Sequence, residues 1–178
     1  GAMYTAARLA TKDQPTAALV SGFHHACYAG WKGNGWFCTF NGLTIAAAKL
    51  IQEGKKRICI LDCDMHWGNG TDNILETAQF LSSGPPDFPG GVDHLSFGKY
   101  FHSPSDAKTY LEWIDTKVVE LFTNRPDVVL YQAGADVHVN DPYGGVHTTE
   151  QMFERDLKVF RYAKQFEVPI AWNLAGGY

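Results

Sequence analysis

An apolar run followed directly by alternating acidic and imidazole side chains constrains the fold of this chain more than any other feature. Residues 58–61 read Ile-Cys-Ile-Leu, a composition typical of a strand buried on both faces. Asp62, Asp64 and His66 then follow at every second position. Alternate side chains of an extended segment point the same way, so two carboxylates and one imidazole converge just past the strand. Because open α/β sheets place ligand sites at the carboxyl ends of their strands, this segment indicates an α/β fold with a catalytic divalent metal.

Strand-like and helix-like segments alternate along the rest of the chain. Short apolar runs predict further strands at residues 17–21, 93–97, 127–132 and 168–173. Helical apolar spacing and capping residues predict helices at residues 41–52, 71–79, 104–124 and 149–166. This alternation predicts a single α/β domain over residues 1–178, with three α/β/α layers, a mainly parallel sheet and right-handed crossovers. Residues 1–3 look like a cloning remnant and are left out of the predicted fold.

The composition excludes several classes of function. The net charge of −4 comes without a basic block or stripe, which argues against direct binding of nucleic acid. No apolar run approaches the length of a membrane span, and no secretory segment is evident, so we expect a cytoplasmic protein that does not bind membranes. The four cysteines lie at positions 27, 38, 59 and 63 without a paired C-x-x-C spacing. Buried thiols in a reducing compartment are therefore expected, rather than disulfides or a thiolate zinc site.

Polar residues follow four of the five predicted strands, namely the first, second, fourth and fifth. All such ends share one edge of a parallel sheet, so the residues after them should meet there; they are His24 and His25, the Asp62 segment, Asp136 with His138 and Asp141, and Tyr178. Two adjacent imidazoles cannot face the same way in an extended chain, so each of the two neighbouring histidines needs its own partner. The isolated histidines are expected to be solvated loop side chains; they are His94, His102 and His147.

Five motifs in order resemble those of a histone deacetylase-type member of the arginase/deacetylase superfamily. The resemblance covers essentially the whole chain and implies that family's α/β fold. It also implies removal of acetyl or other acyl groups from an amine, with acetyl-lysine and acetylpolyamines both open as substrates. The matching segments are residues 22–26 (GFHHA), 36–41 (WFCTFN), 62–71 (DCDMHWGNGT), 134–142 with its GAD and DP elements, and 176–178 (GGY).

The resemblance also implies a set of metal ligands. Asp64, His66 and Asp136 would bind one zinc ion, with ferrous iron as the alternative. A monovalent cation, K⁺ in the family pattern, would be held below the zinc by Asp62 and backbone carbonyls, with Ser96 as a further contributor.

Catalytic roles are implied for four residues. His25 would be the general base towards water and then the acid that protonates the leaving amine. His24 would act beside it, oriented by Asp62. Tyr178 would donate a hydrogen bond to the developing oxyanion.

The chain departs from the family pattern in the substrate channel. Trp36 stands where relatives have a glycine before the channel residue Phe37, so the channel should be narrowed or reshaped. Trp67 replaces a second histidine that does not bind zinc. Asn69 stands where some members have an aspartate that partners the catalytic histidine. The substrate preference of relatives therefore does not transfer directly to this chain.

Relatives have longer domains, so the chain resembles a shortened, central portion of the family fold. A sheet without its outer elements exposes backbone and apolar surface, so either the gene product is longer or this chain covers that surface by self-association. For the chain as given we expect a homo-oligomer, most simply a dimer. Two other functions stay open. An arginase-like dimanganese hydrolase would need further carboxylates at positions occupied by Gly68 and His138. A catalytically silent metal-binding or interaction module of the same fold is the second alternative.

Overall fold

The computed structural model describes residues 1–12, 15–18, 25–26, 38–78 and 91–178. The strands are β1 (Thr16–Ala18), β2 (Arg57–Asp62), β3 (Gly91–Ser96), β4 (Val128–Gly134) and β5 (Ile170–Ala175). The α-helices are α1 (Ala2–Ala10), α2 (Gly42–Gln52), α3 (Asn69–Thr77), α4 (Ala107–Trp113), α5 (Val119–Thr123) and α6 (Thr149–Gln165). Short 3₁₀ turns cover Phe97–Lys99 and Pro104–Asp106, and a π-helical turn covers Ile114–Val118.

The strands form one parallel sheet in the order β1-β5-β4-β2-β3. Strand β2 therefore lies inside the sheet, between β4 and β3. Its end is aligned with both neighbours, since Asp62 pairs with Gln132 on one side and with Ser96 on the other. Every strand end points to the same edge of the sheet, which brings distant polar segments of the chain together there.

Both faces of the sheet are covered, which confirms the predicted three-layer α/β/α fold. Ile58 and Ile60 of β2 belong to a core cluster that contains the buried faces of α1 and α2. Cys59 and Leu61 point the opposite way, into a cluster formed with α4, α5 and α6. The continuous apolar run of β2 therefore results from burial on two sides.

The capping residues explain where two helices begin. Asn41 precedes α2, and its side chain accepts a hydrogen bond from the Thr44 backbone amide. Thr148 precedes α6 and forms a reciprocal capping box with Gln151. Each of these side chains satisfies a backbone amide that the first helical turn leaves without a partner.

Several predicted boundaries are corrected. Helix α1 was not predicted, and it includes Ala2 and Met3, which the predicted fold leaves out; Met3 is buried in the core. The long helix predicted at residues 104–124 is a succession of 3₁₀, α and π segments. The three cysteines in the described part of the chain are buried free thiols, as expected. No helix among the described residues has the length and apolar character that crossing a bilayer requires.

We expect the protein to form a dimer. Within the described residues, β1 and β3 each pair with a strand on one side only, so their other edges present backbone groups that can pair with another chain. A two-fold interface at one of these edges is the simplest way to cover them. Light scattering or sedimentation at micromolar concentration should give twice the chain mass of 19.7 kDa. A folded monomer at that concentration would contradict the prediction.

Candidate metal centre

Three predicted ligands converge at the carboxyl edge of the sheet. Asp64 and His66 follow the end of β2, and Asp136 lies two residues beyond the end of β4. Nδ1 of His66 lies 2.8 Å from Oδ2 of Asp136 and 3.2 Å from Oδ1 of Asp64. One ligand atom from each of the three residues lies within 4.8 Å of the other two. Two carboxylates and an imidazole at these distances form a donor set that suits a single divalent ion.

Backbone contacts hold this arrangement in place. The Met65 amide donates to Oδ1 of Asp136 at 3.0 Å, which joins the β2 segment to the β4 segment. Gly176 has φ of +57°, and a Cβ there would lie 2.3 Å from Cγ of Asp136. Gly134 is packed as tightly, because a Cβ on it would lie 2.3 Å from Cα of Asp64. Glycine at these two positions allows the three backbone segments to approach closely enough for their side chains to meet.

The electrostatics of the three residues favour a cation. Burial, together with the charge of Asp136, raises the pKa of Asp64 to about 6. Hydrogen bonds to Asp136 and Asp64 raise the pKa of His66 to about 10, so positive charge is stabilised at this point. Buried carboxylates are stable only when paired with positive charge or bound to a metal. The residues therefore fit a divalent cation, and the half-exposed His66 leaves one side of the site open to solvent.

His25 is held beside these ligands by Asp62. Nδ1 of the buried His25 lies 2.7 Å from Oδ2 of Asp62, and its Nε2 lies 3.7 Å from Oδ1 of Asp64. Because a carboxylate only accepts, Nδ1–H donates to Asp62 and Nε2 is directed towards the metal ligands. Burial lowers the pKa of His25, but the charge of Asp62 and the hydrogen bond to it raise the value to about 10. The structure therefore places an imidazole, held through Nδ1, directly beside the three candidate metal ligands.

The predicted partnership of Asp62 with His24 cannot be placed, because His24 lies outside the described residues. The structure instead places Asp62 between His25 and His94. Nε2 of His94 lies 3.8 Å from Oδ2 of Asp62, and its Nδ1 lies 2.6 Å from Oδ1 of Asp72. Burial raises the pKa of Asp62, but the opposing charge and hydrogen bonds of His25 lower it overall, so Asp62 is ionised.

The expectation that isolated histidines are solvated is wrong for two of them. His94 lies on β3 with its ring buried beside Asp62, where the strand register places it. His147 is fully buried, and its ring packs edge-on against Tyr110 at a centroid distance of 4.3 Å. Burial lowers the pKa of His147 to about 4, so this ring is neutral. His102 is exposed, as expected.

Tyr178 lies next to the predicted ligands. Its ring meets His66 edge-on at 6.3 Å and Tyr143 at 5.1 Å, centroid to centroid. Its backbone amide donates to Oδ2 of Asp141 at 2.8 Å, which ties the segment after β5 to the segment after β4. Burial and the charges of Asp64 and Asp136 raise the pKa of Tyr178 to about 12. The phenol is therefore protonated at neutral pH and keeps an O–H that can donate.

Trp67 and Ser96, which the sequence also singled out, lie near the start of α3 and make polar contacts there. Trp67 donates through Nε1 to Oδ2 of Asp72 at 2.9 Å, and the ammonium of Lys99 lies 5.0 Å from the centroid of its ring. Oγ of Ser96 accepts the amide of Gly68 at 2.9 Å. The predicted channel residues Trp36 and Phe37 lie outside the described residues.

Arg155 was missed from the sequence. It is buried, with only 1% of its surface exposed, and its guanidinium donates to the carbonyl oxygens of Cys63 and Gly134. A pattern could have revealed it, because Arg155 stands four and eight residues before Val159 and Ala163, on the buried face of α6. Among the described residues, the triad of Asp64, His66 and Asp136 is the one cluster with metal-binding geometry.

The sequence of this chain was compared with protein families and with known proteins. The family profile of the histone deacetylase domain matches residues 1–83 and 94–178. An uncharacterized protein of Picosynechococcus sp. is 30% identical over the full chain, which spans 61% of that protein. Histone deacetylase 2 of Arabidopsis thaliana is 29% identical, and the chain spans 48% of it.

A solved structure shares the fold. Acetylpolyamine aminohydrolase from Burkholderia pseudomallei superposes with a TM-score of 0.71 over 99% of this chain and 55% of that chain, at 24% identity. The likeness confirms the architecture of the sheet and its helices. The chain spans about half the length of the proteins it matches.

Proposed function

The chain belongs to the histone deacetylase domain family, and from this premise we propose that it is a metal-dependent amidohydrolase. The reaction would remove an acetyl or other acyl group from an amine. The observation that carries the proposal is the position of His25, with Nδ1 bonded to Asp62 and Nε2 facing the cluster of Asp64, His66 and Asp136. An imidazole beside a metal site suits amide hydrolysis, because an amide carbonyl is a poor electrophile that reacts with water only when it is polarised and the water is deprotonated.

Asp64, His66 and Asp136 would hold zinc, with ferrous iron as the alternative. When bound, the ion would polarise the amide carbonyl and lower the pKa of water. Without a metal, the pKa of about 10 keeps both ring nitrogens of His25 protonated, and the positive charge of a bound ion would lower that pKa. Nε2 of His25 would then accept the proton of the attacking water and return it to the leaving amine, while Nδ1–H stays hydrogen-bonded to Asp62. Tyr178 would donate its O–H to the developing oxyanion. A structural K⁺ near Asp62 and Ser96 stays a prediction.

Two substrate classes are supported by the relatives. One matched protein is named a histone deacetylase and another an acetylpolyamine aminohydrolase, and both names describe a substrate that carries an acetyl group. Asp64 and Asp136 are buried, but the half-exposed His66 beside Tyr178 leaves one side of the site open, from which an amine substrate could approach.

Hydrolysis can be tested directly with the zinc-loaded chain. We expect release of acetate from acetyl-lysine peptide or acetylpolyamine reporters, and inhibition of that release by a chelator. The matched control is the same protein after chelation and reconstitution with Mg²⁺, which prefers six oxygen ligands and should not restore activity. Zinc bound at one ion per chain without turnover of either reporter would contradict hydrolysis and support a silent metal-binding module.

A further inference from the structure

Arg155 carries one of the few fully buried charges of the described chain. It projects from α6 towards the edge of the sheet where the metal ligands lie, and 1% of it is exposed. Its Nη1 donates to the Gly134 carbonyl oxygen at 2.8 Å and to the Cys63 carbonyl oxygen at 3.2 Å. Its Nε donates to Oδ1 of Asp156 at 2.8 Å, which offsets the charge of the guanidinium.

The two carbonyl groups belong to the ends of the strands that supply the ligands. Cys63 directly precedes Asp64, and Gly134 lies two residues before Asp136. The hydrogen bonds between β2 and β4 end with the Cys63 amide and the Gln132 carbonyl oxygen, at 3.0 Å. Beyond that point, one guanidinium nitrogen joins the two segments by donating to the carbonyl oxygens of Cys63 and Gly134.

The close packing of these segments makes their relative position sensitive to small shifts. A Cβ on Gly134 would lie 2.8 Å from the Cys63 carbonyl oxygen and 2.3 Å from Cα of Asp64. Any lateral movement of β4 therefore moves Asp136 relative to Asp64. Burying a charge is costly, and an apolar side chain could fill the same space, so packing alone does not require an arginine here.

We propose that Arg155 is a positioning residue, which holds the ends of β2 and β4 in the register that brings Asp64 and Asp136 together. The inference rests on the proposed metal centre for its functional meaning. One hydrogen bond reports on this register, because the Met65 amide of one strand end donates to Oδ1 of Asp136 on the other.

Hydrogen exchange of the metal-free protein tests the positioning. In Arg155→Met and Arg155→Lys, the Met65 amide should exchange about tenfold faster or more, since its bond to a charged acceptor is weakened. The Ile60 amide, inside the ladder of β2, should change far less. In the same variants, zinc titration should show an affinity about 10- to 100-fold weaker, as is typical when residues that orient metal ligands are removed.

Two variants of α6 control for a general loss of stability. Val159→Ala opens a cavity in the same helix face and should accelerate both amides by a similar factor. Lys158→Met removes a charge that pairs with Asp115 and Glu154, away from the strand ends, and should leave both readouts unchanged.

Equal acceleration of Met65 and Ile60 in the Arg155 variants, or an unchanged exchange rate of Met65, would overturn the proposal. If Arg155→Met does not fold, the ratio of the Met65 exchange rate to the Ile60 exchange rate is measured in Arg155→Lys instead. Lysine keeps the positive charge but lacks the planar guanidinium that bonds both carbonyl groups. A wild-type chain that binds no zinc would remove the proposed function, while the exchange ratio would still decide the role of Arg155.

Discussion

Asp136→Asn should leave the protein folded with far less bound zinc than the wild type. The substitution replaces a charged ligand by a neutral amide, which is a weak ligand for zinc. The Asn oxygen can still accept the Met65 amide, so the contact between the strand ends is preserved. Elemental analysis after equilibration with zinc should give close to one ion per wild-type chain and a small fraction of that in the variant. Hydrolysis should fall in parallel, because the carbonyl is no longer polarised.

Asp93→Asn is the matched control for that variant. Asp93 lies on β3, is exposed, and pairs with Arg57 rather than with the metal ligands. It removes the same charge from the same sheet and should keep the full zinc content. An unchanged stoichiometry in Asp136→Asn would show that the cluster of Asp64, His66 and Asp136 is not the metal site.

The fold could be predicted from the sequence because its signals are local. Strands β2 and β4 contain apolar runs that are followed closely by polar residues, and the caps at Asn41 and Thr148 mark the starts of helices. The convergence of Asp64 and His66 also follows from a local period of two residues. Asp136 lies 70 residues further along the chain from His66, and its place beside them follows from the parallel sheet and from the family resemblance.

Contacts that depend on the register between strands could not be predicted. His94 meets Asp62 because β3 pairs with β2, and nothing in its own neighbourhood of the sequence indicates that position. Arg155 reaches a carbonyl 92 residues away through the packing of α6 on the sheet. Local alternation also could not show that His25 contacts Asp62, because that contact depends on how distant segments pack at the sheet edge. Residues that support a site are therefore harder to predict than its ligands, because ligands need a particular chemistry and supporting residues need only a suitable position.

His25→Ala should abolish most of the hydrolysis while zinc binding persists. General acid–base catalysis contributes about 10²- to 10⁴-fold to rate, so kcat should fall by that range. Asp64, His66 and Asp136 keep their mutual contacts without the His25 ring, so the zinc stoichiometry should match the wild type. A fall in kcat without a loss of zinc distinguishes His25 from the three ligands, because removing a ligand lowers both kcat and the zinc content.

The control for this variant is His102→Ala, because His102 is exposed and has no place among the metal ligands. It should retain both zinc and kcat. Substrate binding should change little in His25→Ala, so KM should stay near the wild-type value when chemistry limits turnover. A variant at His25 with wild-type kcat would show that another group transfers the proton. Loss of zinc together with kcat would instead make the ring a support for the metal site. Nε2 of His25 lies 3.7 Å from Oδ1 of Asp64, while Nδ1 is held by Asp62. The ring therefore stands beside the ligands rather than among them, and we expect kcat to fall in His25→Ala while zinc stays bound.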